Sequence, residues 1–103
     1  MFVGNAQRRS VEKGLEFDLF EHFDEIVERM SKWRCEMSGV RLESNVGKKA
    51  INSISIDRID AARGYTYDNI RIIAWGLNAA FSDWGQDETI RLVKRMIDRL
   101  ELI

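Results

Sequence analysis

The stretch from Ser55 to Asn78 constrains the fold of this chain more than any other segment. It begins with alternating apolar and polar residues, the pattern of a strand. Gly64 interrupts this pattern and can adopt the positive φ of a tight turn. The β-branched run Ile70–Ile73 favours a second strand, and helical spacing begins near Trp75. The stretch therefore predicts a β-hairpin, with strands near 54–59 and 69–73, followed by a helix at about 74–83.

Helical periodicity also marks segments on both sides of this stretch. From Leu15 to Trp33, apolar residues recur every three or four positions, and acidic residues precede basic ones, which complements the helix dipole. Gly85 is expected to end the helix after the hairpin, and Asp87 to cap a last helix, Glu88–Leu100. The predicted apolar faces are Phe20, Phe23, Ile26, Val27, Met30 and Trp33 in the first helix, and Ile90, Val93, Met96, Ile97 and Leu100 in the last.

The remaining segments complete an α+β prediction for a single domain, 1–103. Residues 1–14 are expected to form a loose arm. Cys35–Leu42 is expected to form an edge hairpin, and Glu43–Asn52 an exposed loop of the kind that carries binding contacts. We expect the last helix to pack against the first helix and the hairpin. The three tryptophans are expected in the core rather than stacked on nucleic-acid bases: Trp33, Trp75 and Trp84.

Composition narrows the classes of function. The 103 residues suit one domain, and no apolar run approaches the ~18 residues that span a bilayer. Without a signal peptide and with a single cysteine, the chain is expected in the cytoplasm, with no membrane partner. Net charge is −1, which argues against a generally basic nucleic-acid binder. Residues 29–63, however, hold eight Lys or Arg against four Asp or Glu, which indicates either a phosphate-binding face or a solvated surface.

Short motifs within the stretch from Ser55 to Asn78 resemble those of a known protein family. S-I-D-R-I-D, G-Y-T and D-N-I-R-I-I, followed by Asn78, resemble the HNH nucleases, also called the ββα-metal fold, in a small phage-type variant. The resemblance covers 55–83 and extends weakly to Cys35–Gly39. It implies an HNH-like hairpin-helix core flanked by an N-terminal and a C-terminal helix. It also implies a phage or prophage protein that works in the host cytoplasm.

The resemblance assigns roles to four residues. Asp57 matches the metal-binding acid and Asn78 the last metal ligand, and such oxygen donors suit Mg²⁺ or Mn²⁺. Asn69 matches the asparagine that braces the hairpin. Arg58 stands where the family has its catalytic histidine. Because arginine stays protonated, it cannot take a proton from water, although it can bind a phosphate oxygen or stabilise transition-state charge. We expect Asp57 and Arg58 to face solvent. Without the resemblance, Asp57 and Asn69 would be interpreted as hairpin turn residues.

The same comparison argues against structural zinc. Zinc-bearing relatives carry two Cys-x-x-Cys pairs, at positions held here by Cys35 and Ser38 and by Ala74 and Leu77. One thiolate cannot hold a structural Zn²⁺, which takes four ligands. We therefore expect no structural zinc, and Cys35 as a small buried apolar residue rather than a reactive thiol.

Two functions remain open from the sequence. The first is a metal-dependent HNH endonuclease that hydrolyses DNA phosphodiester bonds. The second is a catalytically silent HNH-like module that binds nucleic acid or a host or phage protein, and the missing histidine favours it. Asp57, Arg58, Asn69 and Asn78 are the predicted catalytic residues, and the predicted contacts to the DNA backbone are Lys48, Lys49, Arg58 and Arg63.

Overall fold

The computed structural model describes residues 14 to 100, apart from the side chain of residue 83. Helix α1 (Phe23–Met30) precedes an antiparallel hairpin of β1 (Ile54–Arg58) and β2 (Ile70–Ala74). Helix α2 (Trp75–Trp84) follows β2 directly, and helix α3 (Gln86–Leu100) follows α2. The α+β class and the strand-strand-helix order are confirmed, with each predicted boundary within one residue. The predicted arm, 1–14, lies outside the described residues except for its last residue.

The hairpin is the centre of the hydrophobic core. Four of the five residues of β1 are buried, although their chemistry alternates, and α2 packs against both strands. The polar member Ser55 is compatible with this burial because its hydroxyl donates a hydrogen bond of 3.1 Å to the carbonyl of Ile73. The buried apolar cluster contains Leu19, Ile26, Cys35, Leu42, Ile54, Ile56, Tyr65, Ile70, Ile72, Ile73, Ala74 and Phe81.

The first helix is shorter than predicted. Only Phe23–Met30 is α-helical, with one 3₁₀ turn before it, and Trp33 has a positive φ of 51° beyond its end. The backbone before the 3₁₀ turn pairs with the loop between the strands. There the amide of Asp18 donates a hydrogen bond of 3.2 Å to the carbonyl of Tyr65, and the side-chain Oδ1 of Asp18 accepts one of 2.7 Å from the amide of Tyr67. Because the backbone amide of Asp18 binds the loop, it is not available for the hydrogen bonds of a longer helix.

The buried face of this segment also differs from the predicted one. Leu19 and Ile26 are at most 1% exposed, whereas Phe20, Phe23 and Val27 are exposed. Leu19 was absent from the predicted face. Spacing alone does not determine which of these residues are buried, because the predicted period assumes a continuous α-helix, whereas Leu19–His22 forms a 3₁₀ turn.

The segment Cys35–Leu42 turns back on itself as predicted, but its pairing is an isolated bridge between Arg34 and Arg41 rather than a hairpin of two strands. The amide of Cys35 donates to the carbonyl of Val40 at 2.9 Å, and Cys35 is buried, as expected. Glu36 connects this turn to α1 and to β2. It accepts two hydrogen bonds from Arg29 in α1, of 2.8 and 2.6 Å, and one from the amide of Ile72 in β2. Burial alone would raise the pKa of Glu36, but these hydrogen bonds and the charge of Arg29 lower that pKa below its ordinary value.

Gly64 is needed for a close backbone approach rather than for the positive φ that the sequence predicts. It is not among the residues with positive φ. Instead, a Cβ at this position would lie 1.9 Å from the backbone oxygen of Glu16. Glycine is required here because the segment before α1 passes directly over the loop between the strands.

The expectation that the three tryptophans lie in the core is wrong, and the last helix makes its main contacts with α2 rather than with the first helix and the hairpin. Trp33, Trp75 and Trp84 are 41%, 37% and 77% exposed. Helix α3 packs against α2, but none of its residues is buried, and it begins at Gln86 rather than after an Asp87 cap. Gly85, with a φ of 81°, ends α2 as predicted. No helix among residues 14–100 combines the length and apolar character needed to cross a membrane.

Candidate functional site

A polar cavity lies between the end of β1, the loop after it and the ends of α2 and α3. Its volume is about 540 Å³. Three of the four residues that the sequence predicts to be catalytic, Asp57, Arg58 and Asn78, line it. The other lining residues are Ile59, Asp60, Ala61, Tyr65, Arg71, Phe81, Ser82, Gly85 and Gln86. The hairpin and α2 thus bring together residues that are distant in sequence.

Asp57 lies at the base of this site in an ion pair. It is directly opposite Arg71 in the strand register, and Arg71 Nε donates to Asp57 Oδ2 at 2.7 Å. The two side chains are only 11% and 14% exposed. The expectation that Asp57 faces solvent is therefore wrong. The reason is that α2 covers this end of the hairpin, and a carboxylate there needs a charged partner.

Arg58 lies at the edge of the cavity and is half-buried. Its Nη1 donates to the carbonyl of Arg63 at 3.0 Å, and its guanidinium carbon lies 5.1 Å from the centre of the Tyr65 ring. These contacts hold the guanidinium in place and are made without a carboxylate partner among the described residues. Because no carboxylate among residues 14–100 pairs with Arg58, its guanidinium can bind an anion that enters the cavity.

Asn69 supports the loop between the strands through hydrogen bonds to the backbone of that loop. It is 1% exposed, and its Oδ1 accepts a hydrogen bond of 2.9 Å from the amide of Asp60. Its Nδ2 donates to the carbonyls of Asp60 and Gly64 at 3.0 and 2.8 Å. Asn69 does not line the cavity. Its geometry matches the bracing role that the resemblance implies, and it acts on the site by fixing the backbone beside Arg58.

Asn78 faces the cavity from the middle of α2. Its Nδ2 donates to Ser55 Oγ at 3.1 Å and to the carbonyl of Ile56 at 3.3 Å. Because a carbonyl can only accept, these contacts define which end of the amide is the NH₂ group. The oxygen, Oδ1, makes no hydrogen bond with the described residues.

The chemistry of these donors fits a hard divalent cation in part. Asp57 and Asn78 carry oxygen atoms of the kind that Mg²⁺ takes, and Mg²⁺ commonly binds one or two protein carboxylates and keeps several waters. Two features of residues 14–100 act against binding. No group of three or more His, Cys, Asp or Glu is placed to share a cation. In addition, Arg71 already neutralises the carboxylate of Asp57.

The predicted backbone contacts outside the cavity are spread over two loops. Lys48 and Lys49 are exposed, and Lys49 Nζ lies 5.4 Å from the ring centre of Trp75. Arg63 pairs with Asp68 at 3.1 Å. Hydrogen bonds from Thr66 and Arg63 lower the pKa of Asp68. Among the four predicted DNA contacts, only Arg58 lines the cavity.

Two residues of the site were not predicted from the sequence. Arg71 pairs with Asp57, and its Nη1 also donates to Gln86 Oε1 at 2.6 Å. The hairpin register would have indicated Arg71, because residues directly opposite on two strands share a face. Gln86 lacks any comparable signal, because its position depends on the turn between α2 and α3.

Comparisons with models of protein families, with curated proteins and with solved structures found no significant match. The relation to the HNH nucleases therefore stays a resemblance, carried by the residues of the strand-strand-helix motif. The cavity and its contacts supply the remaining argument about function.

Proposed function

We propose that this chain is an HNH-type endonuclease module that engages the phosphodiester backbone of DNA at the cavity. One observation carries the proposal. A β-hairpin followed directly by a helix brings Asp57, Arg58 and Asn78 to a single cavity, and Asn69 braces the adjoining loop. These are the four positions at which the sequence resembles the HNH motif.

Each residue of the site has a separate role in this proposal. Asp57 and Asn78 would hold Mg²⁺ or Mn²⁺, which when bound supplies positive charge to the scissile phosphate and the leaving oxygen. Arg58 binds a phosphate oxygen through its planar fork of N–H donors. Asn69 positions the backbone between Asp60 and Gly64 and so keeps Arg58 at the cavity edge.

Proton transfer is the weak step of this arrangement. Arg58 cannot accept a proton from water, and Asp57 is paired with Arg71. Asp60 is the other carboxylate at the cavity, and its Oδ1 accepts a hydrogen bond of 2.9 Å from the amide of Ala62. Loss of a general base typically lowers a rate by ~10²–10⁴-fold. We therefore expect slow cleavage, with Asp60 the best-placed substitute base.

A second function is favoured by the ion pair between Asp57 and Arg71. If this pair persists in the presence of divalent cations, the module is catalytically silent. It then binds nucleic acid, or a host or phage protein, through Arg58 and neighbouring cations. The guanidinium of Arg58, which has no carboxylate partner among residues 14–100, supports binding to phosphate as much as it supports cleavage.

Cleavage of supercoiled plasmid, in Mg²⁺, in Mn²⁺ and in EDTA, tests the first function. Asp57→Asn should abolish cleavage, because a carboxylate ligand is lost while side-chain volume is kept. Arg58→His should raise cleavage, most clearly above the imidazole pKa of ~6.5, because it provides a base. Cleavage that survives EDTA or Asp57→Asn would reject this site as the nuclease centre.

Fluorescence anisotropy with a labelled duplex separates the second function from the first. Arg58→Ala should weaken binding and lower the salt dependence of binding by about one phosphate contact. Arg91→Gln, on exposed α3 and away from the cavity, provides a control with the same change in charge. Binding without cleavage supports the silent module. If wild type neither cleaves nor binds DNA, both nucleic-acid functions are wrong.

A further inference from the structure

Helix α3 presents an apolar face to solvent. The helix makes its main contacts with α2, and none of its residues is buried. The exposed apolar side chains, between 41% and 71% accessible, are Leu92, Val93, Met96 and Leu100. At about 100° per residue, these four side chains lie within one third of the circumference of the helix. A contiguous apolar face of this kind marks a site of association, unlike single apolar residues scattered over a surface.

The two edges of this apolar face differ in their surroundings. On one edge Ile90 and Ile97 are half-buried, so this edge is the one that approaches the rest of the domain. The other edge is formed by exposed charged residues, Glu88, Arg95 and Arg99. Glu88 lies in the first turn of α3, and the two arginines lie in its last two turns. The open edge is therefore acidic at one end and basic at the other.

This distribution of charge is complementary to itself when two copies of α3 run antiparallel. A twofold axis across the middle of the face brings the same edge of both helices together with their ends reversed. Glu88 of each copy then lies beside Arg99 of the other, because the two residues are about three turns apart on one edge. In a parallel pair, the charged edge of one helix would face the half-buried edge of the other.

The overall charge of α3 also favours a partner of mixed charge. The helix holds four Lys or Arg against three Asp or Glu. A polyanion such as DNA, or an anionic membrane, is recognised by an excess of positive charge, which this helix lacks. A second copy of the same helix offers both signs of charge in the required order.

We propose that α3 pairs antiparallel with α3 of a second copy of this chain, through the apolar face and the contacts between Glu88 and Arg99. Leu92 of each copy then packs beside Met96 of the other, near the twofold axis. Since α3 is only about 22 Å long, the interface is small and the dimer exchanges reversibly with the monomer. None of these residues lines the cavity, so the inference does not depend on the proposed function.

Sedimentation equilibrium of the full chain measures the association. The average mass should rise from the 12.0 kDa of one chain toward twice that value as the concentration enters the range of about 10–100 µM. Leu92→Glu should weaken the dimer about a hundredfold, because each dimer then buries two charges in place of two leucines. Because Leu92 is 71% exposed, this variant should keep the circular dichroism spectrum of wild type.

Val46→Glu is the matched control, because it makes the same kind of change at a residue that is 85% exposed and lies outside α3. The control should associate as wild type does. A mass of 12.0 kDa at every concentration up to about 1 mM would overturn the proposal, and so would equal association of Leu92→Glu and wild type. A monomer that sediments with vesicles of anionic lipid would assign the face to a membrane surface and overturn the proposal as well.

Reversal of charge covers the case in which Leu92→Glu does not fold, and it also tests the orientation. Glu88→Arg and Arg99→Glu should each weaken the dimer about tenfold, because like charges then meet at both symmetric contacts. An equimolar mixture of the two variants should recover association to within about threefold of wild type. Each variant keeps its own internal pairs in the mixture, so recovery there reports a contact between chains. Association that neither reversal weakens, or that the mixture does not recover, would refute the antiparallel pairing.

Discussion

Asn69 is predicted to be one of the most sensitive polar positions in the chain. Its side chain makes three hydrogen bonds, of 2.8 to 3.0 Å, to the backbone of Asp60 and Gly64, and it is 1% exposed. Asn69→Ala removes all three and leaves the backbone groups of the loop without these partners. The loop that carries Asp60 and adjoins Arg58 would lose its internal support.

The expected loss in the free energy of unfolding depends on the burial of each backbone group that loses its hydrogen-bond partner. A buried donor or acceptor left without a partner costs ~1–3 kcal/mol. The carbonyl of Gly64 lies in a buried contact and should cost the full amount, whereas both groups of Asp60 lie in an exposed residue and can reach water. We therefore expect a loss of about 2–4 kcal/mol in the free energy of unfolding, a large fraction of the ~5–15 kcal/mol of a typical domain.

Urea unfolding followed by circular dichroism measures this loss. Asn52→Ala is the matched control, because Asn52 makes one exposed hydrogen bond, of 3.2 Å, to the carbonyl of Arg41. The control should lose less than ~1 kcal/mol. If Asn69→Ala is no less stable than Asn52→Ala, the bracing role is wrong. If it is unstable but binds DNA as wild type does, the brace does not position Arg58.

Two further predictions concern stability. Gly64→Ala should lower the free energy of unfolding in urea by more than ~3 kcal/mol, because its Cβ would meet the backbone of Glu16. Gly47→Ala, whose Cβ lies in open space, should lower it by only ~1–2 kcal/mol. Equal losses in the two variants would refute the close approach of Glu16 to Gly64. Glu36 has a lowered pKa in the folded state, so its stabilisation is complete above its unfolded pKa of ~4.3 and is lost as pH falls through the folded value. Glu36→Gln should therefore show a smaller loss of thermal stability between pH 6 and pH 3 than wild type, and an equal loss would contradict the role of the Arg29 pair.

The candidate site could be predicted from the sequence only in part. Asp57, Arg58 and Asn78 do share a cavity, because their positions follow from a hairpin and a helix that local patterns predict. The partner of Asp57 was missed, because Arg71 reaches it across the hairpin and the length of the loop sets that register. Lys48 and Lys49 were predicted from their charge and from their place in an exposed loop, and neither property indicates which loop lies beside the cavity.

The sequence by itself determined the order and the boundaries of the central elements. Alternation, β-branching and helical spacing are properties of neighbouring residues, so they predict β1, β2 and α2 without knowledge of the rest of the chain. Tertiary structure alone decided which apolar residues are buried. Leu19 is in the core and Phe20 is exposed, and Trp84 lies on the surface.

Tertiary structure also decided the chemistry of two central residues. Gly64 is required by the passage of Glu16, which lies far from it in sequence, and Asp57 is an ion-paired buried carboxylate rather than a solvated one. The physical reason is common to both cases. Local backbone geometry depends on adjacent residues, whereas burial, close approach and charge pairing depend on contacts between segments that the fold alone brings together.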